Sequence, residues 1–330
     1  MRKISWLLCL FLLLCGCAPQ ETSQTPPTEV TVSPTAAPTE APVTMPPAVA
    51  SEAAALVEAP PPAVSVVLTA EPSGEAEVRC DDAVIDYSHT EDGYIMARYT
   101  GVTDKRLKLR IIGPTTVYTY NLPLDRWTVF PLSDGDGSYQ AALYINTHDS
   151  KYALVMTAQF EVALHDEFAP FLRPNQYVDY SCAPETVAKG AALCAGLEHP
   201  LEKVAAVYDF AVNTLSYDYD RAATVKSGYL PVLDDVLAQQ KGICFDYAAL
   251  MAAMLRSQEV PCKLVVGYAG QTYHAWISVW TEENGWVDGA IFFDGHMWKR
   301  MDPTFASSNS RSDEIMDFIE NGTYTVKYLY

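Results

Sequence analysis

The chain has 330 residues, 22 Lys and Arg against 41 Asp and Glu, and 49% apolar residues, which at roughly 150 residues per domain gives room for about two domains and a large core. A formal charge of −19 excludes nucleic acid as the main partner, because neutralising phosphates takes clustered Lys and Arg that the chain lacks. With no Gly-X-Y period, no long heptad run and a single strongly apolar segment, collagen, coiled-coil and multi-span membrane architectures are excluded as well.

The apolar segment comes first. Arg2 and Lys3 precede Leu7-Leu8-Cys9-Leu10-Phe11-Leu12-Leu13-Leu14, too short for a comfortable membrane span and suited to an export signal. Leu14-Cys15-Gly16-Cys17 resembles the bacterial lipoprotein signal, which implies a signal peptide over 1–16 and Cys17 as the lipidated residue. Cys15 would have Leu14 rather than Gly at the cleavage position. A chain anchored this way has a soluble body held at the cell surface by its N-terminal lipid. Five cysteines then remain: Cys80, Cys182, Cys194, Cys244 and Cys262. An odd number in an exported chain leaves at least one thiol outside internal disulfides. Cys182 and Cys194 are the better pair for a bridge, and without a C-x-x-C spacing a zinc ribbon is not expected.

Residues 18–62 hold 11 of the 22 prolines, seven threonines, no Lys or Arg and no aromatic residue. Nothing there can pack, so 17–62 is read as a disordered Pro/Thr/Ala-rich stalk. At about 3.1 Å per residue it would reach roughly 140 Å. From 63 to 165 the pattern has period two, as in Tyr94–Tyr99, Arg106–Ile111, Tyr139–Ile145 and Ala153–Phe160. Turn signals separate these runs, which predicts an antiparallel β-sandwich-like domain. Asp134-Gly135-Asp136-Gly137 reads as a turn, since the ligand order of an EF-hand is incomplete.

Residues 166–330 read as α+β. Apolar residues from Leu201 to Leu215 recur at three- and four-residue steps behind Pro200, the pattern of a helix. A second helix is expected from Cys244 to Arg256. Strands are expected over Lys263–Tyr268, Tyr273–Trp280 and Met297–Met301 as antiparallel neighbours, and a late helix over Ser312–Glu320.

Three residue types in this part point to chemistry. Lys241-Gly242-Ile243-Cys244 places a thiol in the first turn of a helix, where unpaired N–H groups and the dipole favour negative charge, and the thiolate is the nucleophilic form. His274 sits on a strand with Trp276, Ser278 and Trp280 on the same face, a rigid mount for a general base and acid. Asp302, before Pro303, closes the next strand and could orient the imidazole through its second nitrogen. Singly, each has an ordinary structural explanation: a core cysteine, a packed histidine, an Asp-Pro turn.

Together, Lys241-Gly242-Ile243-Cys244 with Asp246-Tyr247-Ala248, Val260-Pro261 with Gly267-Tyr268, His274-Ala275-Trp276, and Trp298 before Asp302-Pro303-Thr304 resemble the transglutaminase-like superfamily, a branch of papain-like thiol enzymes. The resemblance covers about residues 165–325. It implies Cys244 as nucleophile, His274 as base and acid, and Asp302 as orienter, with peptide or protein amides as substrates and no cofactor or metal. The expected activity is that of a cysteine acyltransferase, peptidase or deamidase. For the oxyanion hole it implies the Cys244 main chain with Tyr217 or Tyr219, which lie upstream of the nucleophile. Trp276, Trp286 and Phe292 are candidates for a substrate cleft. Asp288 and His296 compete with Asp302 and His274 but sit less well relative to the matching strands, and Cys262 reads as core. The rival expectation is a non-catalytic surface scaffold that keeps the fold.

Overall fold

The computed structural model describes residues 60–288, 291–293, 298–300 and 323–330, with backbone alone for Asp288, 291–293 and 298–300. Cys17, the signal and stalk up to residue 59, His296, Asp302 and the helix expected over Ser312–Glu320 lie outside the described residues.

The alternating runs form strands β1 (Glu77–Arg79), β2 (Ala83–Asp86), β3 (Tyr94–Tyr99), β4 (Leu107–Ile112), β5 (Val117–Leu122), β6 (Thr128–Pro131), β7 (Gly137–His148) and β8 (Lys151–Val162). They make two four-stranded sheets, ordered β1-β2-β3-β6 and β5-β4-β7-β8, with every pairing antiparallel. Strand β4 shows why: Leu107, Leu109 and Ile111 are buried while Lys108, Arg110 and Ile112 are half-exposed, so one face can close on a second sheet. Across that interface Tyr120 meets Phe130 edge-on at 5.1 Å. Asp134 lies in the turn after β6. Its carboxylate accepts from the Thr115 and Thr116 N–H groups at 2.6 and 2.8 Å and so closes the β4–β5 turn.

The second part contains α1 (Pro184–Leu193), α2 (Pro200–Thr214), β9 (Ser216–Tyr217), α3 (Tyr219–Thr224), α4 (Leu233–Gln239), β10 (Lys241–Gly242), α5 (Cys244–Arg256), β11 (Cys262–Ala269), β12 (Thr272–Thr281), β13 (Gly285–Asp288), β14 (Ile291–Phe293), β15 (Trp298–Arg300) and β16 (Tyr324–Leu329). Helix α5 is apolar on all sides and buried from Asp246 to Arg256, as expected of a helix enclosed by other elements. It lies against α1, α2, β11 and β12. At its end the fully buried Arg256 donates to the main-chain oxygens of Cys262, Arg173 and Tyr330 at 2.8, 2.8 and 2.6 Å. No helix among the described residues is long and apolar enough to cross a membrane.

The large sheet of this part is ordered β13-β12-β11-β16. This corrects the expected neighbour relation of Met297–Met301. Strand β15 pairs with β14 in a separate ladder, because β16 takes the free edge of β11 and β13 takes that of β12. The expected Cys182–Cys194 bridge is also absent. Both are free thiols, one exposed and the other buried.

The two parts share one hydrophobic core. Residues 63–66, assigned from sequence to the start of the β part, hydrogen-bond instead to the helices, Ala63 N to Ala191 O at 2.9 Å and Val66 N to Ser257 O at 2.8 Å. In the other direction, Tyr328 of β16 meets Tyr118 of β5 at a tilt, and Tyr330 just past the strand meets Tyr118 and Tyr120 edge-on.

Candidate active site

The site begins at the short parallel ladder of β9 and β10, where Gly242 pairs with Tyr217. Glycine is required there by space. A Cβ on Gly242 would stand 2.6 Å from Asp246 Cβ and 3.0 Å from its Oδ2. The close approach lets Asp246, in the first turn of α5, accept from the Ile243 N–H at 2.8 Å, which satisfies one of the orphan donors at the helix start. Ile243 itself is extended, with φ −94° and ψ 174°. The next residue is Cys244, a half-buried free thiol.

Asp246 is fully buried. It also accepts from the Tyr229 hydroxyl at 2.6 Å and from Arg221 Nη1 at 3.3 Å. Burial and the bond to Asp246 push the Tyr229 pKa well up, so its hydroxyl stays a donor. Asp218 caps α3 through the Arg221 N–H at 3.0 Å and pairs with Lys241 at 3.2 Å. That backbone bond, ahead of its cationic neighbours, holds its carboxyl below the usual range.

His274 is 4% exposed and faces Gly267 across the β11–β12 ladder. Here too a side chain is excluded, because a Cβ on Gly267 would overlap the Thr325 carbonyl and come within 2.9 Å of the Trp276 ring. The His274 and Trp276 rings are stacked at 6.2 Å.

Cys244 and His274 line one cavity of about 610 Å³. Its walls are aromatic: Tyr177, Tyr217, Tyr229, Phe245, Tyr273, Tyr328 and Tyr330. Tyr217 is in the lining, and burial pushes its pKa up to about 12. Tyr219 is 66% exposed and meets Tyr217 edge-on from outside, at 4.9 Å; Asp218 caps α3 at that point and turns the ring out.

Of the expected cleft residues, Trp276 and Trp286 are not in this lining. Trp276 is buried and packs edge-on against Tyr324 at 5.3 Å. Trp286 pairs with Trp280, six residues along β12 from His274, which is roughly 20 Å at about 3.3 Å per residue. It lines a separate hollow of about 360 Å³ with Phe171 and Lys263, and the Lys263 ammonium stands 3.5 Å over its ring. The backbone of Phe292 is in β14, and its side chain lies outside what is described. Asp288 pairs with Ser278, four residues along the strand from His274. Cys262 is fully buried, and burial pushes its thiol up to about 12.

Comparison with known proteins bears on the C-terminal part. Residues 188–289 match the model of the transglutaminase-like superfamily. The C-terminal part carries a transglutaminase-like domain. The chain is 31% identical over 137 residues to an uncharacterized protein of Mycobacterium leprae (strain TN), which covers 38% of this chain and 46% of that protein; the chain thus spans about half the length of that curated relative. Among solved structures, a candidate cysteine protease of Cytophaga hutchinsonii matches at 15% identity and TM-score 0.34, over 69% of this chain and 68% of that one. Red sea bream transglutaminase matches at 12% identity and TM-score 0.26, over 71% and 56%. The transglutaminase-like domain is preceded by the β-rich part, and β16 returns to complete its sheet.

Sequence reasoning singled out Cys244, His274 and Tyr217, which line one cavity, but not the other tyrosines of its wall or the polar network behind Cys244. An acidic residue at the third helical position after Lys-Gly-Ile was the one readable sign of that network.

Proposed function

We propose that this protein is a thiol enzyme acting on peptide or protein amides through a Cys244 thioester. The observation that carries this is the shared cavity, into which a helix-start cysteine and a strand histidine both open. In the reaction the Cys244 sulfur attacks the amide carbonyl carbon while His274 takes the thiol proton. The C–N bond then breaks, and His274 gives the proton to the departing amine. Water resolving the thioester yields peptidase or deamidase activity, and an amine yields cross-linking. Asp302 is assigned to orient His274. The Cys244 main-chain N–H, with Tyr217 beside it, is assigned to the oxyanion; one such donor is typically worth about 10²- to 10³-fold in rate.

We further infer from Leu14-Cys15-Gly16-Cys17 that the protein is a surface lipoprotein held by Cys17. Incubating the purified protein with a peptide library and a primary amine, read by mass spectrometry, distinguishes cleavage, deamidation and amine incorporation. Products that persist in Cys244→Ala would remove the thiol from the reaction. For the anchor, Cys17→Ser should release the protein from the membrane fraction, and retention there would contradict lipidation.

A further inference from the structure

Behind Cys244 lies a buried polar network that the chemistry above leaves unused. A carboxylate in the interior is costly unless it is paired and hydrogen-bonded, and Asp246 is satisfied from three sides. It accepts from Ile243 N–H at 2.8 Å, the Tyr229 hydroxyl at 2.6 Å and Arg221 Nη1 at 3.3 Å. Arg221 Nη1 also donates to the Tyr229 hydroxyl at 3.1 Å, so the three side chains form a closed triangle.

Its placement gives it a role. The Ile243–Asp246 bond closes the chain over residues 243–246, with Cys244 inside the loop, so the main chain at Cys244 cannot rotate without breaking it. Tyr229 links this loop outward: its ring lines the cavity that holds Cys244 and His274, and its hydroxyl reaches Asp246. Gly242 supplies the space the carboxylate occupies.

We propose that Asp246, Tyr229 and Arg221 are positioning residues that fix the Cys244 main-chain N–H as an oxyanion donor, with Tyr229 tying the cavity wall to that donor. The proposal rests on the thiol-enzyme reading. It concerns aim rather than chemistry, since none of the three exchanges a proton or bond with substrate.

Two reagents separate aim from general integrity. With p-nitrophenyl acetate, the Cys244 sulfur attacks the ester carbonyl, an oxyanion forms, the C–O bond breaks, p-nitrophenolate leaves and an acetyl thioester remains. Iodoacetamide alkylates the same sulfur by displacing iodide at a saturated carbon, with no oxyanion. The ratio of the two rate constants at Cys244, read by peptide mapping with Cys244→Ala as background, cancels changes in thiolate fraction. Tyr229→Phe, which keeps the ring, should lower the acylation-to-alkylation ratio about tenfold, less than outright loss of a donor because the N–H is misaimed rather than removed. Asp246→Asn should lower it further; should that variant fail to fold, Tyr229→Phe alone carries the test. An unchanged ratio, whether both rates hold or fall together, would overturn the proposal. Wild-type acetylation no faster than the Cys244→Ala background would remove the thiol reading itself, and this proposal with it.

Discussion

Cys244 and Cys262 stand at the starts of consecutive elements and differ in their surroundings. Cys244 opens onto a cavity. Cys262 is sealed between strand and helix, where desolvation of the thiolate pushes its pKa up to about 12 against a weaker pull from Arg256. Near neutral pH, iodoacetamide should label Cys244 in the native protein and reach Cys262 only after denaturation. Native-state labelling of both at similar rates, read by peptide mapping, would contradict the assignment of Cys262 to the core. At this scale the sequence was informative where residue type and local setting coincide: a cysteine after Lys-Gly-Ile, a histidine on an alternating strand. It was silent on Tyr229, whose hydroxyl meets Asp246 across 17 positions of chain, because that contact depends on the path of an irregular segment. Trp286, named for the cleft from the connection that follows His274, lines a separate hollow instead, because no local pattern encodes the pairing of β13 with β12.

Helix α5 is the element on which the site is built, and its start is set by the fit of Gly242 against Asp246. Gly242→Ala would force a methyl group to within 2.6 Å of Asp246 Cβ, a contact with little freedom to yield because Asp246 is fixed by the helix. The expected cost is about 1–3 kcal/mol of stability, as for other overpacked interior sites, measured by denaturant unfolding. A variant as stable as the parent would show that the turn has slack. The bounds of α5 were legible, Cys244 to Arg256, because a long apolar stretch follows a helix-start pattern. So were those of β3, Tyr94 to Tyr99, whereas β4, whose burial alternates strictly, runs from Leu107 to Ile112, one residue later than the expected Arg106–Ile111. The short elements were not. Helix α4 is seven residues, and the two-residue β9 and β10 exist through their pairing with each other, which no local pattern encodes. Strand β16 alternates weakly, and its place beside β11 is a tertiary fact.

On the scale of the whole molecule, the β-sandwich and the transglutaminase-like domain are joined through tyrosines. Burial pushes Tyr118, Tyr177, Tyr180 and Tyr217 from 10.0 up to about 12. In the unfolded chain these groups lose their protons near pH 10, whereas the folded state retains them to about pH 12, so between those values the native protein binds more protons and stability falls as pH rises. This contribution is fully present below pH 10. Thermal unfolding followed from pH 9 to 12 should show the midpoint dropping through that window, with tyrosinate absorbance rising at unfolding; tyrosinate appearing well before unfolding would contradict tight burial of these rings. Sequence indicated two parts in the right order, but not that residues 63–66 cross to the helices or that the last strand, paired with β11, sets Tyr328 against Tyr118 of the sandwich, since both are long-range packing choices. The central claim is that Cys244 carries the acyl group. The most direct measurement is peptide mapping of the protein after reaction with an activated peptide ester. The account predicts a hydroxylamine-sensitive acyl group concentrated on Cys244 and lost in His274→Ala, whereas acylation spread evenly over Cys80, Cys182 and Cys244 would contradict it.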